Sequence, residues 1–339
     1  MLKVHVLDAG HGDCILLDFE HTKILVDSGP KKMKIRKAII PTLEALLGDS
    51  RKIDLAIVTH NDDDHIGGYK YLLQTSIKIK KIVFNSLNDI PDIVAISSPQ
   101  ISFKQDNELR KQLIEDKKIA IDTLTIFDSP IVINGIKIEA ITPTVEALEE
   151  MYRAYDAGEI SKGEKELSPT QISAYKKNDV PLGECLVKIE KNEDTFIRDT
   201  SKPNKASIAF VVEYRNFRGL FLADAYAEDI VNGIKLKNYE DKSFNVIKLS
   251  HHGSEKNTNM DLLRIVGKTE YILCADKSKH NHPNNRTIAR ILSFDNNPTI
   301  HFSAKKQNFI SLFTELKDLN KVINATFSTD NLNTIVYEC

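Results

Sequence analysis

The apolar run Asp54 to Thr59 (DLAIVT) stops at His60-Asn61-Asp62-Asp63-Asp64-His65, and no other junction constrains this chain so strongly. A short, continuously apolar run predicts a strand buried on both faces, which in turn requires layers above and below it. Two imidazoles and three carboxylates then follow within six residues. Like charges crowded this closely are costly unless something positive fills the space between them. A pair of divalent cations is the simplest filler. His60 and Asp62 stand two apart and point the same way in extended backbone. Asp64 and His65 come after the turn and can face a second ion. Gly67-Gly68 lets the next segment approach closely. The plain alternative is a solvated acidic turn capping a helix; the flanking histidines favour the metal reading.

Two distant segments end in the same way. GLFLAD closes on Asp224, a carboxylate able to bridge two ions, and NVIKLS runs into His251-His252-Gly253-Ser254. Each alone is an ordinary cap or polar residue, but all three place ligand types at the end of an apolar strand. Asp27 also ends a strand, in ILVDSG, and reads as a residue that orients a ligand from behind, against the alternative of a simple turn. His280-Asn281-His282-Pro283 is a further cluster, placed to touch a phosphate or protonate a leaving group, or else a polar loop. Asn204 and Ser207 precede a strand and are candidates to line the site. His5, His21 and His301 lack partners in sequence and read as structural.

Composition narrows the classes. Lys plus Arg is 46 and Asp plus Glu 48 over 339 residues, a net charge of −2 without a global nucleic-acid signature. No apolar stretch reaches membrane-spanning length, so no membrane association is expected. The start MLKVHVLDAG lacks a signal-peptide core. The four cysteines form no CxxC pair, which argues against a disulfide scaffold or thiolate zinc site and for a reduced, cytoplasmic setting.

The periodicity predicts strands at 2–8, 14–19, 23–26, 54–59 and 80–84, and a short helix with Pro41 in its first turn. It predicts a polar helix over 104–118 and a hairpin over 130–141 about Asn134-Gly135. Further strands are predicted in SIAFVVEY and GLFLAD, joined by Arg215 to Arg218, and at 244–249, 271–275, 299–303, 309–313 and 334–338, with a helix at 284–293. Residues 146–166 carry seven acidic and three basic residues. That stretch is a candidate cap or protein-partner surface, or a solvated helix and loop.

At this point LDAGHGDCILLDF, ILVDSG, THNDDDHIGG, NKASIAFVVEYRNFRGLFLADA, IKLSHHGS and KHNHP, in this order from residue 7 to 283, resemble the metallo-β-lactamase-fold hydrolases. Within them the chain looks like the branch of the DNA-uptake competence protein ComEC. The usual HxHxDH motif is HxDxDH here, with Asp62 in place of the middle histidine. The resemblance implies an α/β fold, a four-layer αββα sandwich formed by one domain over 1–339, with insertions at 86–130 and 145–202. It implies that His60 and Asp62 hold one metal, Asp64 and His65 the other, that Asp224 bridges, and that His251 or His252 completes the set. The family's third-motif histidine is missing: no histidine lies between His65 and His251, and Asn204 is nearest to that position.

The function expected from these residues is hydrolysis by a dinuclear metal centre, zinc or manganese, the oxygen-rich ligand set leaning toward manganese. The substrate is expected to be a phosphodiester, nucleic acid or small, attacked by a hydroxide that the metals generate. Asp64, Asp224, His252 and His282 are the candidate catalytic residues; His60, Asp62, Asp64, His65, Asp224 and His251 the candidate ligands; His280, Ser254 and Asn204 the candidate substrate contacts. The basic run Lys31, Lys32, Lys34, Arg36, Lys37 is the local support for nucleic acid, against a solvated loop. An ester, thioester or lactam substrate stays open, as does an inactive partner protein using 146–166.

Overall fold

A computed structural model describes residues 1–94, 104–116, 119–157 and 179–339. The strands are β1 (Leu2–Leu7), β2 (Ile15–Asp18), β3 (Lys23–Val26), β4 (Lys52–Ile53), β5 (Leu55–Val58), β6 (Lys78–Ile79), β7 (Ile82–Phe84), β8 (Ile121–Asp122), β9 (Ile131–Ile133), β10 (Ile136–Ala140), β11 (Phe210–Tyr214), β12 (Phe217–Phe221), β13 (Val246–Lys248), β14 (Glu270–Leu273), β15 (Thr299–Phe302), β16 (Asn324–Thr326) and β17 (Leu332–Tyr337). One large sheet runs β17-β1-β2-β3-β5-β7-β8, the other β16-β15-β14-β13-β12-β11-β10-β9, and β4 and β6 form a separate parallel pair. Each large sheet is mixed. β17 to β3 pair antiparallel and β3 to β8 parallel, while β9 to β12 pair antiparallel and β12 to β16 parallel.

The sheets meet face to face over one apolar layer. Val4, Ile15, Leu17, Ile24, Leu55 and Ile57 from the first pack with Ile138, Phe210, Val212, Val246 and Ile272 from the second. β5 explains its own unbroken apolar sequence. Leu55 and Ile57 enter that middle layer, while Ala56 and Val58 enter an outer layer with Ile39, Leu43, Leu47, Tyr69 and Leu72. Burying both faces removes four side chains from water; each large aliphatic one contributes about 1.5–3 kcal/mol. The second sheet's outer face is covered by the helices Ala227–Leu236, Met260–Val266, Asn285–Phe294 and Ile310–Asp318. The four layers are helix, sheet, sheet and helix.

Several boundaries differ from the sequence reading. The first helix spans Met33–Leu47, so Pro41 sits in its interior rather than its first turn. Its buried stripe, Ile39, Leu43 and Leu47, steps by four and holds the helix across the proline. Much of the basic run therefore lies on a helix, not a loop. Residues 310–318 are helical, not a strand: Phe309, Leu312 and Leu316 recur at helical spacing, which a five-residue window cannot separate from a strand. The β11–β12 connection is the two-residue turn Arg215-Asn216, shorter than expected, with Arg215 at φ 53°. β16 was not foreseen.

The described part of the acidic stretch is the helix Val145–Asp156. Leu148, Met151, Tyr152 and Tyr155 face inward against Leu87, Ile90 and Ala206, while Glu150 bridges to Lys202 and Lys205. Residues 158–166 fall outside the described residues. Among the described residues no helix is long and apolar enough to cross a membrane.

Candidate metal centre

Three strand ends converge where the two sheets' edges meet. β5 runs into Thr59 and His60, β12 into Asp224, and β13 into His251 and His252. His60, His65, Asp224 and His252 are all at most 3% exposed. Around Asp224 the distances repeat within a narrow range. His65 Nε2 is 3.4 Å from Oδ1, and His251 Nε2, His252 Nε2 and His60 Nε2 are 3.7, 3.7 and 3.9 Å from Oδ2. Asp62 Oδ2 lies 3.7 Å from His60 Nε2, and Asp64 Oδ2 3.6 Å from His252 Nε2.

These separations are too long for hydrogen bonds. They suit donor atoms that share an ion at about 2.0–2.2 Å each. His60 Nε2, His65 Nε2, His252 Nε2 and Asp224 Oδ1 are buried and lack a hydrogen-bond partner. Orphaned buried polar atoms are costly and call for an unseen partner. Four such atoms aimed at one space, all metal-ligating types, fit divalent ions.

The opposite edge of each imidazole is tied down. His65 Nδ1 donates to Asp27 Oδ2 at 2.7 Å, and Asp27 in turn accepts from the Thr59 amide at 2.8 Å and hydroxyl at 2.7 Å. His60 Nδ1 lies 3.2 Å from that hydroxyl. His252 Nδ1 donates to the Cys274 carbonyl at 2.9 Å. His251 Nδ1 reaches Asp199 Oδ2 at 3.2 Å and Asn257 Oδ1 at 3.1 Å. With every Nδ1 facing an oxygen acceptor, each ring turns Nε2 inward, the arrangement that orients metal-binding histidines.

Asp13 sits behind the rings. Ligand atoms of Asp13, His65, Asp224 and His252 lie within 4.8 Å of one another. Its carboxylate, however, faces the Nδ1 atoms of His252 (3.2 Å) and His65 (3.8 Å) and is paired with buried Lys248, which also donates to the Ala223 carbonyl. Asp13 is thus an orienting anion rather than a ligand. Burial raises its pKa, but Lys248 and the two histidines outweigh this and hold it at about 2. Replacing Lys248 by methionine takes from this buried anion its ammonium partner and leaves it only the two imidazoles. An expected loss of about 3–5 kcal/mol, read by urea unfolding, follows, with partial recovery when Asp13→Leu is added.

The cleft above holds about 200 Å³ and is lined by His11, Asp62, Asp64, Asp199, Ser201, Asn204, Asp224, His251, His252, Lys279, His280 and His282. His11 Nε2 and Lys279 Nζ stand 3.8 and 3.6 Å from Asp64 Oδ2. Asn204 donates to Asp199 at 2.6 Å. Ser254 does not line the cleft; its hydroxyl accepts the Lys256 amide within its own turn. Behind the motif, buried Asp106 accepts from Asn61 at 2.9 Å and from the Leu87 amide at 2.8 Å, and burial pushes it up to about 6.

Sequence reasoning missed His11, Asp13, Asp199, Lys248 and Lys279. Lys248 had a usable signal, a charge inside the apolar strand NVIKLS, which implies a buried anion. His11 and Asp13 lay in the quoted loop without an assigned role. Asp199 belongs to an irregular stretch with no pattern.

Charges in the metal-free cluster are mutually compensated. Burial alone would pull the His252 imidazolium down and push Asp224 and Asp64 up. The opposite charges win: His252 stands at about 9, His65 is well above its ordinary value, and both carboxylates are well below theirs. Burial, with His251 and His252 adding to it, drives His282 well below its ordinary value.

No curated protein matches the chain. Residues 7–83, which include Asp27 and the His60–His65 cluster, match the model of the Metallo-beta-lactamase superfamily. Among solved structures, the chain is similar to the zinc-bound PqqB of Methylobacterium extorquens at 11% identity and TM-score 0.44, over 99% of this chain and 100% of that one. It is similar to the metallo-beta-lactamase fold protein YhfI of Bacillus subtilis at 11% identity and TM-score 0.43, over 99% of each. A diphosphatase of the PhnP family aligns at 10% identity and TM-score 0.41, over 84% of this chain and 89% of that one. The helix–sheet–sheet–helix sandwich rests on the chain's own topology, and the likeness to the Metallo-beta-lactamase superfamily is carried by residues 7–83.

Proposed function

We propose that this chain is a metal-dependent phosphodiesterase of the ComEC-like branch, with two divalent ions held by His60, Asp62, Asp64, His65 and Asp224 and completed from the His251-His252 pair. The observation that carries the reading is the set of orphaned, buried donor atoms around Asp224. Ions bound there supply Lewis acidity and an acidified water. The protein's part is to hold and orient. Asp27, Asp13 and Asp199 fix the imidazoles, and the rigid strand ends set the spacing.

The lining of the cleft favours a phosphoryl substrate. His11, Lys279 and His280 stand at its mouth, where they can receive phosphoryl oxygens, and His282 lies against His251 with ring centroids 5.1 Å apart. Burial and the neighbouring imidazoles favour the neutral form of His282, which suits it to accept a hydrogen bond or a proton in the cleft rather than to supply one. A second hollow of about 300 Å³ is lined by Lys32, Lys34 and Lys305 against Asp8 and Asp276, a small positive excess that supports a nucleic-acid substrate only weakly beside a small phosphodiester. With a nucleic-acid substrate, binding weakens steeply with salt.

Hydrolysis of bis(p-nitrophenyl) phosphate with added manganese or zinc tests the proposal. The native chain should turn over, and Asp64→Ala should lose at least roughly a thousandfold. A native chain with two bound ions and no turnover on any phosphodiester would sink the phosphodiesterase reading.

A further inference from the structure

The geometry points to His251 as the second imidazole of the His60–Asp62 site, standing in for the histidine missing from the middle of the chain, while His252 serves the Asp64–His65 site. This assignment rests on the dinuclear reading above. It makes the vicinal pair a split ligand rather than one ligand and one bystander.

The backbone supplies the first argument. Neighbours in a strand send their side chains to opposite faces. His251 and His252 escape that rule because both adopt left-handed conformations, at φ 46° and φ 56°, before Gly253 at φ 80°. A side chain with a Cβ enters this region at a cost. Two such residues in succession persist only where the surroundings demand them, and such outliers gather at functional sites. Their effect here is to bring both rings into one cleft.

Distances then separate the partners. His252 Nε2 is 3.6 Å from Asp64 Oδ2, and its ring lies 5.2 Å from that of His65. His251 Nε2 and His252 Nε2 both lie 3.7 Å from Asp224 Oδ2, the oxygen that His60 Nε2 approaches at 3.9 Å, so the pair is told apart by the approach of His252 to Asp64 and His65. The two rings of the pair are turned 71° from each other, with centroids 5.7 Å apart.

Support from behind supplies the third argument. Asp199 accepts from Asn204 and Asn257 and faces His251 Nδ1, which leaves Nε2 free to donate a lone pair into the cleft. Asn204, nearest in sequence to the missing histidine, thus helps position the replacement. Asp199 is a positioning residue, acting through His251.

Cobalt titration of the chelator-stripped protein, followed by visible absorbance and by metal content after desalting, tests the assignment without relying on turnover. The native chain should take up two equivalents. His251→Gln should keep one and bind the other at least a hundredfold more weakly, and Asp199→Asn should weaken the same equivalent about 10–100-fold. His282→Gln should keep both. The pairing is decided by double variants: His60→Gln with His251→Gln should retain one equivalent, and His60→Gln with His252→Gln should retain none. The reverse pattern, or unchanged affinity for two ions in both His251→Gln and Asp199→Asn, overturns the assignment and leaves the dinuclear reading standing. A native chain that binds no ion overturns both.

Discussion

Asp224→Ala is expected to abolish phosphodiester hydrolysis and to strip metal from the protein at the same time. Both of its oxygens are committed, Oδ1 toward His65 and Oδ2 toward His60, His251 and His252. Any ion placed among these rings loses the one anion they share. The expected fall in kcat/KM is at least about a thousandfold, or roughly 4 kcal/mol of transition-state stabilisation. Asp224→Asn keeps the shape and removes the charge, so it should behave like the alanine variant. Steady-state kinetics and elemental analysis on the same preparations check this. Near-native turnover in either variant would mean that the chemistry lies elsewhere.

The second large effect is on stability, and it depends on pH with a sign that can be worked out. In the metal-free protein the raised imidazoles, with His252 at about 9, contribute stability that is complete below about 6.5 and is lost as pH rises through about 9. The lowered carboxylates of Asp64 and Asp224 contribute stability present above about 4 and lost as pH falls further. The chelated protein should therefore be most stable between about pH 4 and 6.5. Metal binding needs neutral imidazoles and releases their protons. Its stabilising effect should grow from pH 6 to pH 9, reaching about 3 kcal/mol at a hundredfold excess over Kd. Thermal unfolding with chelator and with excess metal at three pH values measures it. A metal-induced shift that ignores pH would exclude imidazoles as the ligands.

How much of this was readable beforehand follows from the range of the interactions. The His60–His65 cluster, Asp224 and the His251-His252 pair stood out because each follows a short apolar run, and such runs are local signals. The two-sheet sandwich came from resemblance, since no local pattern says that β5 and β13 share an edge. Asp199 and Lys279 stayed hidden because their roles are set only by which loops fold over the cleft. Phe309 and Leu312 were misread because five residues do not separate a period of two from one of 3.6. The extent of the first helix was misjudged because Pro41 reads locally as a first-turn residue, whereas the buried stripe of Ile39, Leu43 and Leu47 carries the helix across it.

The ligand-bearing strand ends belong to different sheets, β5 to one and β12 and β13 to the other. An ion seated among them is therefore also a cross-link at the rim of the sandwich. Amides beside Thr59 and beside Asp224, far apart along the chain, then open as one unit. Their hydrogen exchange should quicken in step when the ion is withdrawn. A centre built within a single loop would leave no such paired signature.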